Sequence, residues 1–122
     1  MRLLIALAFV GCTPVESPAT FTEVFDEILF QSCGFSSCHG GSAGAPFLTE
    51  AEDAYDSLVG VESNSKANAV LVVPGNPDQS YLIQKLENAE GITGDAMPPS
   101  SPLSDEAIER IRSWIEDGAQ KN

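Results

Sequence analysis

Few residues in this chain can do chemistry, and four of them form a pattern. Cys33, Cys38 and His39 lie together in Cys33-Gly34-Phe35-Ser36-Ser37-Cys38-His39, and Met97 opens Met97-Pro98-Pro99, 58 residues beyond the histidine. The chain holds three cysteines, two methionines and one histidine. Two thiols followed directly by an imidazole reproduce, with wider spacing, the C-x-x-C-H pattern of covalent haem attachment. Here the spacing is C-x4-C-H. In that chemistry the thiols of Cys33 and Cys38 form thioethers to one haem c, His39 is the proximal ligand of the iron, and Met97 completes a His/Met axial pair. The rival use of the two thiols is a local disulfide, because an exported chain leaves the reducing cytosol. A closed zinc site is disfavoured: it needs four ligands, and Cys33, Cys38 and His39 supply three with no second cluster.

Met97 sits among glycines and prolines, where apolar packing gives a methionine no reason to be. Pro98 and Pro99 stiffen its backbone and hold its sulfur in place. Without Met97 as ligand, the iron would be five-coordinate or would take a lysine. The run from Gly40 to Ala45 is a loop with no strand before it, so it does not read as a nucleotide site. No Ser/His/Asp set is present to suggest hydrolysis.

Residues 1–11 read as a lipoprotein signal peptide. Arg2 is a short positive start, and Leu3 to Val10 is an apolar run too short to span a bilayer. Gly11-Cys12 at its end resembles a lipobox, with Cys12 as the lipidated residue. An ordinary secretory signal with an incidental cysteine is the alternative. Thr13 in place of an aspartate fits outer-membrane sorting; the location expected is the outer membrane or a periplasmic face. Residues 12–19 are a Pro/Ser-containing tether, and residues 20–122 are one domain, long enough for a single modest core.

The chain carries 18 acidic and 6 basic side chains, a net charge of −12. Such a surface repels nucleic acid and anionic headgroups and favours a partner with a basic docking face. Simple solubility explains the charge equally well.

Four segments have helical periodicity. Phe21 to Ser32 presents Phe21, Val24, Phe25, Ile28 and Leu29 on one face, with Thr20 and Glu23 as a capping box and Gly34 as the stop. Glu50 to Leu58 follows, with Thr49 and Glu52 as a second box. Ala69 to Val73 is apolar and β-branched, hence extended. A third helix runs from Asn76 as cap, through Pro77, to about Glu87. Asn88 to Leu103 is a loop. The last helix starts after Ser104, carries Ile108, Ile111, Trp114 and Ile115 inward, and stops at Gly118. No alternating pattern exists to build a sheet.

This order of parts resembles the class I cytochrome c domain, in particular the small cytochrome c-like domains of exported bacterial proteins. The shared pieces are Cys38-His39-Gly40, Val73-Pro74-Gly75-Asn76-Pro77-Asp78-Gln79-Ser80, Met97-Pro98-Pro99 and Trp114-Ile115-Glu116-Asp117-Gly118-Ala119. The departure is Phe35 where the first thiol of C-x-x-C-H would stand. The resemblance implies an all-α fold of about four helices around one haem. It also implies single-electron exchange with a redox partner protein, with no catalytic residue. Trp114 would then be core against Phe25 and Leu29, and Pro74 and Gly75 would line the haem crevice. Two readings stay beside it: a haem-free, disulfide-bonded lipoprotein that binds or scaffolds, and a five-coordinate, peroxidase-like enzyme.

The lipid anchor is directly testable. The exported chain should begin at Cys12 and partition into detergent, and Cys12→Ser should abolish acylation, both read by intact mass. Recovery of an unacylated mature chain from the wild type would refute it.

Overall fold

The computed structural model describes residues 16–41 and 45–122. The signal peptide, Cys12, the first part of the tether and residues 42–44 lie outside the described residues. Among the described residues the fold is all-α, with about four helical bodies and no strand. None of its helices is long and apolar enough to cross a membrane.

The first body runs without a break over residues 21–33: α1 (Phe21–Val24), a π-helical turn (Phe25–Leu29) and α2 (Phe30–Cys33). Thr20 and Glu23 form the expected capping box: the Thr20 hydroxyl accepts from the Glu23 N–H at 3.2 Å and the Glu23 carboxylate accepts from the Thr20 N–H at 2.8 Å. These bonds hold the Glu23 carboxyl below its usual range. The π turn was not evident from periodicity, because its five-residue repeat adds one residue without interrupting the apolar face. Phe25, Ile28 and Leu29 within it are all buried.

α3 (Ala51–Leu58) starts one residue later than expected, and the Thr49–Glu52 box does not form. Glu50 is the cap, in extended conformation with φ −125° and ψ 138°, so Thr49 sits one position too far back to reach the third helical amide. The chain then turns back on itself at residues 64–68, and the two arms of this loop meet at two isolated bridges, Val59 to Val72 and Glu62 to Val70.

The expected third helix is split. A 3₁₀ turn (Pro77–Gln79) is capped by Asn76, whose side chain accepts from the Gln79 N–H, and α4 (Tyr81–Leu86) follows after extended Ser80. The break has a plain cause. The first amides of α4 donate outside the helix, Tyr81 N–H to Val70 O at 2.8 Å and Leu82 N–H to Leu71 O at 2.9 Å. Fully buried Ser80 donates to Asn76 O at 2.9 Å and accepts from the Val73 N–H at 2.9 Å.

α5 (Asp105–Glu116) begins at Ser104, whose hydroxyl accepts from the Ala107 N–H. It ends in a Schellman cap, with Gly118 N–H bonded to Ile115 O and Ala119 N–H to Trp114 O, both at 3.0 Å. Gly118 has φ +102°, the left-handed conformation this cap requires.

α5 packs against α1. Trp114 is buried, as expected, in the same core cluster as Phe25 and Leu29, and its ring neighbours are Phe21 at 5.1 Å and Tyr55 at 6.5 Å. α1 meets α5 near their terminal turns, which brings the first residue of α1 opposite the tenth of α5. Tyr55 completes the cluster edge-on to Phe21 at 5.2 Å.

The Ser80 hydroxyl is the sole partner of the part-buried Val73 amide among the described residues. Ser80→Ala should therefore cost about 1–3 kcal/mol of stability in denaturant unfolding, and a change near zero would show that the turn does not depend on it.

Candidate functional site

Four of the residues singled out above, Cys33, Cys38, His39 and Met97, meet at one cavity of about 540 Å³, within the ~300–1,000 Å³ usual for a small-molecule site. Its walls are largely apolar, from Leu29, Leu48, Leu58, Leu71, Leu82 and Leu86. Cys33, Cys38, His39 and Met97 all line it, with Pro98 and Pro99.

The C-x4-C-H segment is a compact turn. Cys38 N–H donates to Phe35 O at 2.9 Å, Gly40 N–H to Phe35 O at 2.8 Å, and His39 N–H returns to Cys33 O at 3.1 Å. The two extra residues are thus absorbed in the turn, and both thiols still line one wall. Two glycines permit the closure. A Cβ on Gly40 would stand 2.5 Å from Phe35 O and 2.6 Å from Gly34 O, and one on Gly34 would stand 2.6 Å from Leu48 O. Gly34 does end the first helical body, but by this close approach: its φ of −76° is open to any residue.

His39 is oriented by its backbone and its ring. Leu48 N–H donates to His39 O at 3.0 Å, and the ring Nδ1 lies 2.9 Å from Pro46 O. A carbonyl only accepts, so Nδ1 carries the proton, and Nε2 is the nitrogen left to bind a metal. A ligating histidine is ordinarily fixed in this way. Cys33 and Cys38 are free thiols. Among the described residues, no three His, Cys, Asp or Glu side chains converge as a metal cluster.

Met97 is placed by α4. Its N–H donates to Lys85 O at 2.9 Å. The Lys85 ammonium bonds Thr93 O at 2.9 Å and also Asp95 O. The Tyr81 hydroxyl accepts from the Thr93 N–H at 2.9 Å, and Lys66 donates to Gly91 O at 2.8 Å. Two of the chain's three lysines are therefore spent on carbonyls of the Met97 loop. Lys85, the one lysine among the described residues that lines the cavity, is thereby held on this loop. Pro46, Tyr81 and Lys85 were not among the expected site residues. Each acts through backbone partners remote in sequence, which carry no motif.

Pro74 and Gly75 do not line the cavity, contrary to expectation. Gly75, with φ +81°, donates its N–H to Ile115 O at 2.7 Å and so ties the turn to the end of α5. Trp114 is also absent from the cavity wall.

The chain matches no protein-family model, no curated protein and no solved structure.

Burial, and after it the neighbouring Cys38, push the Cys33 thiol up to about 11. A raised thiol pKa extends the neutral form to higher pH, leaving about 0.1% thiolate at pH 8. In the reduced, unmodified protein at pH 8, iodoacetamide should alkylate Cys33 at least ~10-fold more slowly than in urea. The gap should narrow as pH approaches 11. Equal rates in folded and unfolded chain would contradict this burial.

Proposed function

We propose that this protein is a mono-haem, c-type cytochrome that transfers single electrons, held at a membrane by a lipid on Cys12. One observation carries the reading. Cys33, Cys38, His39 and Met97, separated by up to 64 residues, line the same apolar cavity.

The residues present suit such a group. Two thiols stand ready for thioether bonds on one wall, one imidazole keeps only Nε2 for a metal, and a thioether side chain lines the same space. The bound haem supplies reversible one-electron chemistry at iron. The chain's own residues do the rest. Pro46 O holds the His39 ring and keeps the proton on Nδ1. Met97 offers a soft, neutral sulfur, which favours ferrous iron and raises the potential relative to a His/His site. The leucine walls exclude water and disfavour the extra charge of ferric iron. Lys85 and Tyr81 hold the loop that positions Met97.

The test is spectroscopic. Protein exported in a host with haem c maturation should carry one haem that resists acid-acetone extraction. Cys33→Ala or Cys38→Ala should leave one thioether at most and shift the α-band to the red. Met97→Ala should remove the weak long-wavelength band of Met–Fe(III) bonding and lower the potential by on the order of 0.1 V or more. A colourless, folded protein with a Cys33–Cys38 disulfide would refute the proposal. An unchanged spectrum and potential in Met97→Ala would favour the five-coordinate site.

A further inference from the structure

Three large apolar side chains stand on the outside of the attachment turn. Phe30, Phe35 and Phe47 are 46%, 59% and 45% exposed, and none lines the cavity. A bound haem would therefore leave them uncovered. They belong to one locality. A Cβ on Gly34 would lie 3.2 Å from the Phe30 ring and 2.6 Å from Leu48 O, so Phe30, the residue before Phe35 and the residue after Phe47 meet at one point. Grouped exposed aromatics on a small soluble surface mark an interaction site more often than isolated ones do.

The charge pattern points to the occupant. Residues 28–49 contain no Asp, Glu, Lys or Arg, in a chain where a fifth of residues are charged. The first charges on either side are all acidic: Asp26 and Glu27 before, Glu50, Glu52 and Asp53 after. Glu27 pairs with Arg110 and Glu52 with Lys121, whereas Asp26, Glu50 and Asp53 make no ion pair among the described residues. An uncharged aromatic centre with acidic flanks fits a partner whose apolar contact is bordered by Lys and Arg. A second copy would set acidic flank against acidic flank, and an anionic membrane would meet the same repulsion. The tether also enters at Thr20, at the opposite end of the first helical body, about 20 Å away for 13 residues.

We infer that Phe30, Phe35 and Phe47 form the docking surface for a redox protein with a basic-rimmed apolar face, beside the wall that carries Cys33, Cys38 and His39. The partner's role rests on the haem reading; the docking itself does not. The experiment uses a strongly basic c-type cytochrome as the protein probe and ferricyanide as a small acceptor that needs no docking. Phe30→Ser/Phe47→Ser, both outside the attachment motif, should slow reduction of the protein probe about tenfold or more, while the ferricyanide rate, haem content and spectrum stay as in the wild type. Added salt should slow the wild-type reaction with the protein probe. Phe47→Lys should slow it further than Phe47→Glu, which keeps the fold question separate from the charge question. An unchanged rate with the protein probe would overturn the inference, as would an equal loss with both acceptors. Self-association of the wild type that the double variant abolishes would overturn it in favour of a second copy. Chemical-shift titration of the same probe reads docking without haem. A protein that binds through the patch yet carries no haem would sink the functional proposal alone, and one that carries haem but ignores the patch would sink this inference alone.

Discussion

The last carbonyls of a helix have no partner within it, and at the end of α5 those groups hold the rest of the molecule together. Ile115 O accepts from Gly118 and from Gly75, which draws in the turn before α4. Trp114 O accepts from Ala119, and Ala119 O in turn accepts from the Tyr55 hydroxyl at 2.8 Å, which fixes α3. The Trp114 indole N–H donates to Gln120 O at 2.9 Å. Asn122 closes the set, bonding the Phe21 and Thr22 amides at 2.9 Å each. Around this knot Phe21, Tyr55 and Trp114 bury their rings together. The two terminal parts of the domain are thereby joined, and the cavity is left to form away from them.

The cavity wall depends on two weaker devices. On one side, glycine at positions 34 and 40 lets the thiol-bearing turn fold onto its own carbonyls. On the other, two lysines and a tyrosine collect the carbonyls and an amide of the Met97 loop. Lysine serves well for this task, since one ammonium carries three donors on a flexible stem. The loop is otherwise poor in backbone partners, as a segment with Pro98, Pro99 and Pro102 must be.

The remaining cations among the described residues are equally committed. Arg110 pairs with Glu27, Arg112 with Asp78 and Glu87, and Lys121 with Glu52 and Asp56. These are exposed pairs that contribute little to stability individually. Their consequence is electrostatic: the described basic side chains are engaged by the protein's own acids and carbonyls. Among the described residues, the charges left with neither an ion pair nor a carbonyl partner are acidic.

The sequence by itself determined the helical bodies, their caps at Thr20, Asn76 and Ser104, the stop at Gly118, and which residues could bind a metal. Those features depend on neighbours three or four positions apart, so composition and spacing contain them. The Val73–Ser80 and Trp114–Ala119 motifs were visible too, but their role was not: they make the knot at the end of α5, and Pro74 and Gly75 take no part in the cavity. Only the tertiary structure decided that Met97 shares a cavity with Cys33, Cys38 and His39, that Pro46 fixes the His39 ring, and that Lys85 is occupied. It also decided the break at Ser80, where amides of α4 prefer the carbonyls of Val70 and Leu71 to their own helix. The physical reason is common to all of these. Each rests on a backbone carbonyl or amide supplied by another part of the chain, and a backbone group is the same at every residue, so its identity leaves no mark in the sequence.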